Sequence, residues 1–160
     1  YLEERQDKVR AVLITHGHLD HIGAIPYIMP RIGNPPLYTR LLTSVLIQKR
    51  QEEFPHVPKL DIQVVEKNST ITVGKLKIRF FSVTHTIPDA MGLIIETPYG
   101  SIVHTGDLKL DHMDGIVSDE ETAEYDRAFP EVGGPAGKTN VLMLMADSTN
   151  VENPGFSMPE

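Results

Sequence analysis

Three imidazoles and a carboxylate fall within six positions near the start of this chain, in His16-Gly17-His18-Leu19-Asp20-His21. Such a mixture of nitrogen and oxygen donors binds borderline and hard divalent cations. The cluster follows an apolar run, Ala11-Val12-Leu13-Ile14-Thr15, which reads as a buried strand. Polar groups crowded this densely at a strand end have little other reason to be there. His16 and His18 are two apart on extended backbone and so point to one side. Asp20 and His21 follow at a loop-to-helix junction. The chemistry implied is metal-assisted hydrolysis.

Two further residues occupy equivalent places. His85 closes the strand Phe80-Phe81-Ser82-Val83-Thr84, and Asp107 closes Ser101-Ile102-Val103-His104-Thr105-Gly106. Three strands then deliver ligand-type residues at their C-terminal ends, and loops at such ends commonly carry sites. The remaining candidates have plainer readings. His56 and His112 fit surface or satisfied core positions, and His104 fits a packed, hydrogen-bonded place inside an apolar strand. Asp20 taken alone fits a helix N-cap. Asp147, after the last strand, fits an Asx turn.

The elements that must position these residues follow from the patterning. A short helix, bent or late because of Pro26, is expected from about Asp20 to Ile32. Pro35-Pro36 precedes a strand at Leu37-Tyr38-Thr39. A helix is expected from Leu41 to Phe54, with Leu42, Val45 and Leu46 at helical spacing. Ile62, Val64 and Glu66 begin an alternating run. Ile71 and Val73 pair with Leu76, Ile78 and Phe80 across Gly74-Lys75. Met91 to Thr97 and Ser101 to Thr105 flank a turn at Pro98-Tyr99-Gly100. Asp111 to Asn140 reads as a polar loop before a last strand, 141–146. The pattern is that of an α/β layered domain.

Composition sets the outer bounds. A chain of 160 residues, 40% hydrophobic and 23% charged, makes one globular domain with a real core. No apolar stretch approaches membrane-spanning length. The absence of cysteine excludes disulfides and thiolate metal sites. It is compatible with a reducing compartment, and the cytoplasm is the expected location. The formal charge of −7 argues against a bare electrostatic grip on nucleic acid. Two bound dications reverse that sign locally. Tyr1-Leu2-Glu3-Glu4-Arg5 reads as the middle of a helix, so the chain is expected to be part of a longer protein.

His-x-His-x-Asp-His resembles the signature of the metallo-β-lactamase fold, an αββα sandwich. The resemblance extends to the ribonuclease J family and its β-CASP relatives through four stretches. These are Thr15 to Pro26, His85-Thr86-Ile87-Pro88-Asp89-Ala90, Val103 to Lys109, and Asp147-Ser148-Thr149-Asn150 with Pro154-Gly155-Phe156. It implies that His16, His18 and His85 hold one zinc, Asp20 and His21 another, and that Asp107 bridges both, with manganese an alternative metal. The candidate catalytic residues are Asp20, Asp107 and Asp147. By the resemblance Asp147 orients a histidine of the following domain.

The implied activity is hydrolysis of RNA phosphodiesters by metal-bound hydroxide, as a 5′-to-3′ exonuclease or endonuclease in RNA processing and decay. The implied substrate is RNA, and the full-length protein is expected to form a homo-oligomer. Residues 1–160 would make a partial metallo-β-lactamase domain, lacking its N-terminal strands, a last ligand histidine and the β-CASP domain. One tightly held and one weakly held zinc are then expected. The rival readings are a β-lactamase or glyoxalase-type thioesterase on the same fold, and a catalytically incomplete metal-binding fragment. Lactamase-type members usually carry Cys or Ser in place of Asp107, which disfavours that subtype.

Overall fold

The apolar run at 11–15 forms only a two-residue strand, β1 (Val12–Leu13), and beyond it the Thr15 carbonyl accepts from the Met91 N–H. The computed structural model describes residues 1–110, 112–113, 115–129, 141–149 and 151–155, without the side chains of 112–113. Asn150 and Phe156 of the fourth sequence stretch therefore lie outside the described residues. At the start of the chain a kinked 3-10 segment, Glu3–Lys8, replaces the expected helix interior.

One bent helix was expected over 20–32, and three short pieces stand there instead. They are α1 (Leu19–Ile22), α2 (Ile25–Ile28) and a 3-10 turn, Met29–Ile32. Pro26 and Pro30 each open a piece, where a missing N–H has no intrahelical partner to lose. The chain returns to the sheet as β2 (Leu37–Thr39), which pairs in parallel with β1.

The next helix, α3 (Leu41–Gln51), stops short of Phe54 and buries Thr43, Ser44 and Ile47. Val45, expected on the apolar face, is exposed. The reason is a close approach: a Cβ on Gly17 would lie 2.5 Å from Leu46 Cδ1 and 3.5 Å from Thr43 Oγ1. Small polar residues fit the side of α3 that meets the ligand loop. Beyond α3, β3 (Ile62–Val64) pairs in parallel with β2 and completes a three-stranded sheet.

The second sheet is built from the hairpins read in the sequence. β4 (Thr70–Val73) pairs with β5 (Leu76–Ser82), placing Ile71 opposite Ile78. β6 (Met91–Thr97) and β7 (Gly100–His104) meet at Thr97 and Gly100. The stretch from 111 is not simply a loop. It carries a small hairpin, β8 (His112–Met113) with β9 (Ile116–Val117), and a helix, α4 (Asp119–Ala128). Residues 130–140 lie outside the described residues. β10 (Val141–Met145) then joins β7 in parallel, giving the order β10-β7-β6-β5-β4.

Three apolar clusters mark the contacts between four layers. Ile22, Ile25, Met29, Leu37 and Ile47 pack the first helices on the first sheet. Val65, Ile78, Phe80, Met91 and Leu93 meet Leu13 and Tyr38 between the two sheets. Phe81, Val83, Ile94 and Val103 pack beneath Ala128 and Tyr125 of α4. The result is the αββα sandwich that the family resemblance implies.

Candidate metal centre

β5 and β7 each pair antiparallel with β6, so both run the same way and end at one edge of the second sheet. His85 follows β5, and Asp107 follows β7 across Gly106. Gly106 has φ +65°, and a Cβ there would sit 2.9 Å from Thr15 Cβ. Only glycine meets both demands. The loop after β1 comes from the other sheet and meets this edge, where the Met91 N–H donates to the Thr15 carbonyl at 3.1 Å.

Four histidine rings converge at this seam. The His16 ring centroid is 4.8 Å from His18, 4.1 Å from His21 and 4.7 Å from His85. His18 Nδ1 lies 3.1 Å from both His16 Nε2 and His85 Nε2. Asp107 Oδ2 is 3.3 Å from His21 Nε2, 3.8 Å from His16 Nε2 and 4.0 Å from His85 Nε2. Among the described residues two sets of donor atoms gather within 4.8 Å: His16, His18 and His85, and His16, His21 and Asp107.

The donor set fits a divalent cation. Ring nitrogens this close, with a carboxylate oxygen beside them, hold lone pairs that repel one another unless a ring proton or a cation lies between. His16 is fully buried, and burial together with the neighbouring His21 and His85 pushes its pKa down to about 4, against the opposing pull of Asp107. It is neutral at physiological pH, the form that ligates metal. Its Nδ1 lies 3.1 Å from the Thr15 hydroxyl. With a cation on Nε2, Nδ1 would carry the proton and donate to Thr15, an orienting bond typical of ligand histidines.

The other candidates are placed differently. Asp20 sits in the first turn of α1 with 78% of its side chain exposed, and its Oδ2 is 3.6 Å from His21 Nε2. It joins neither set of three, and His18 rather than Asp20 occupies the N-cap position. Asp147 forms an Asx turn: its Oδ1 accepts from the Thr149 N–H at 2.8 Å and from the Thr149 hydroxyl at 2.6 Å. Its Oδ2 accepts from the Leu108 N–H at 3.4 Å, beside Asp107. Burial opposes its ionisation, but the bonds from Thr149 and Leu108, with a smaller pull from His85, leave its pKa below the usual range.

His104 is half-buried, and its Nδ1 accepts from the Gly106 N–H at 2.9 Å, the packed and hydrogen-bonded place expected of it. His56 is on the surface, and the side chain of His112 lies outside the described residues. Thr15 and Thr86 were not singled out from the sequence. Thr86 Oγ1 is 3.5 Å from His18 Nε2. Their adjacency to His16 and His85 was the available signal.

A family model described as a beta-lactamase superfamily domain matches residues 2–133, and the chain belongs to that family. It is 39% identical to ribonuclease J of Thermus thermophilus, 34% to ribonuclease J2 of Bacillus subtilis and 36% to ribonuclease J of Mycoplasma pneumoniae. Each alignment covers all of this chain and 28%, 27% and 26% of the relative, so the chain spans roughly a quarter of their length. Among solved structures, a protein of unknown function from Enterococcus faecalis matches 94% of this chain and 33% of its own, at TM-score 0.63 and 24% identity. The metallo-beta-lactamase fold protein YhfI of Bacillus subtilis matches 68% of this chain and 44% of its own, at TM-score 0.50 and 21% identity. These two likenesses concern the fold. Family and cluster together place the chain in the class of metal-dependent hydrolase domains. Among the described residues no helix is long and apolar enough to cross a membrane.

Proposed function

We propose that this chain is the metal-binding portion of a ribonuclease that hydrolyses RNA phosphodiesters. The observation that carries the reading is the meeting of His16, His18, His21, His85 and Asp107 at the seam of the two sheets. The whole-chain similarity to ribonuclease J supports RNA over smaller substrates. His16, His18 and His85 would hold one zinc ion, and His21 and Asp107, with Asp20 turning inward, a second; manganese is the alternative. The ions, when bound, make water nucleophilic near neutral pH and offset the charge of a phosphodiester. Asp107 reaches three of the histidines and holds the two ligand groups in register. Asp147 fixes the loop after Asp107 through the Leu108 N–H. It is also the acidic residue that would orient a histidine of a downstream β-CASP domain. The full-length protein would act in the cytoplasm, as an exonuclease, an endonuclease or both, and as a homo-oligomer.

A turnover comparison tests the reading. The full-length protein is expected to cleave 5′-monophosphorylated RNA faster than it turns over nitrocefin or an acylglutathione. Faster turnover of either small substrate sinks it. Asp107→Ala is expected to abolish metal-dependent cleavage, and retained activity refutes the bridging role.

A further inference from the structure

The centre is assembled from two sheets, so something must fix the distance between its halves. His16 and His18 belong to the loop after β1 and His21 to α1 that follows it, and His85 arrives on the loop after β5. Four residues past His85, Asp89 holds φ +66°, a left-handed conformation that costs free energy in a non-glycine residue. Its carboxylate is used twice, and both partners lie on the first-sheet side. Oδ2 accepts from the Leu42 N–H at 3.1 Å, capping the first turn of α3 from outside the helix. Oδ1 is 3.0 Å from Arg40 Nη2.

Arg40 occupies the N-cap position of α3 and supplies no side-chain cap itself. It reaches out instead: its Nη1 donates to Ser82 Oγ, at the end of β5, at 3.3 Å. The two side chains are 14% and 27% exposed, so water screens the pair only in part. Between His85 and Asp89 the same loop packs on the first-sheet side. A Cβ on Gly17 would lie 3.4 Å from Ile87 Cδ1.

We propose that Arg40 and Asp89 are positioning residues that set His85 against His16 and His18, and so govern how tightly that triad holds a divalent cation. The inference rests on the metal-centre reading above. A guanidinium fork spanning a carboxylate and a hydroxyl fixes orientation in a way an ammonium cannot. The clasp therefore acts through geometry rather than through charge near the metal.

Zinc affinity, measured by chelator competition, and the visible spectrum of the cobalt-loaded chain test this without recourse to turnover. In Asp89→Ala and in Arg40→Ala the tighter site is expected to weaken at least about tenfold, in the range of residues that orient ligands. The cobalt ligand-field bands should shift, and the double variant should lose little more than either single one. Arg40→Lys should recover part of the affinity. Lys49→Ala, which breaks an exposed pair on α3, should leave it unchanged.

If Asp89→Ala fails to fold, Ser82→Ala and Arg40→Lys carry the test, with weaker binding expected in both. Folded clasp variants with native affinity and native cobalt spectra overturn the proposal, even when their thermal stability is lower. A native chain that takes up neither zinc nor cobalt overturns the metal-centre reading, and this inference with it.

Discussion

His16 is fully buried, and its ring takes a proton far less readily than a histidine in water. In the unfolded chain the same ring protonates near pH 6.5, whereas in the folded chain it does so near 4. Between those values the unfolded state holds the extra proton, so stability falls as pH drops. Above 6.5 both states are neutral and the effect vanishes. The total contribution is on the order of 3 kcal/mol. Urea midpoints of the metal-free chain from pH 7.5 to 4 should show this slope, and His16→Asn should flatten it. An equal slope in both proteins would refute the assignment. At this scale the gathering of His16, His18, His21, His85 and Asp107 was legible because strand-end spacing is local. The outward turn of Asp20 was not. α1 buries Ile22, and two residues are about 200° apart around a helix, so anchoring Ile22 inward sends Asp20 to solvent.

Elements show the same division between local and tertiary information. Both hairpins of the second sheet could be read from alternation and turn residues; the register of the first matches at Ile71 and Val73, while in the second Gly100, read as part of the turn, opens β7 opposite Thr97. The buried face of α3 could not, since it follows from the approach of Gly17, a contact between segments distant in the chain. α4 escaped notice although its start was written in the sequence. Ser118 accepts from the Glu121 N–H, the S-x-x-E pattern of a capping box, but the surrounding acid and Gly residues suggested a loop. One element is held by a close cross-strand fit. Phe81 on β5 lies opposite Gly92 on β6, and a Cβ at Gly92 would come within 2.1 Å of the Phe81 ring. Gly92→Ala should therefore destabilise the fold by about 1–3 kcal/mol. Phe81→Leu in the same chain should return part of that loss. Denaturant titration of the three variants checks it, and an additive double variant would contradict the contact.

At the scale of the whole molecule, the four layers are packed through three separate apolar clusters, and the site lies where the inner two layers meet. The second sheet ends in β10, whose five apolar residues are all exposed among the described residues. The two donor sets share more than a location, because both pass through Nε2 of His16, while its Nδ1 is occupied with Thr15. One lone pair cannot serve two cations. Under the proposed reading, His16 would therefore serve one ion, and a second would be left to His21, Asp107 and Asp20. Loading would then be sequential, and a zinc titration is expected to rise in two unequal steps.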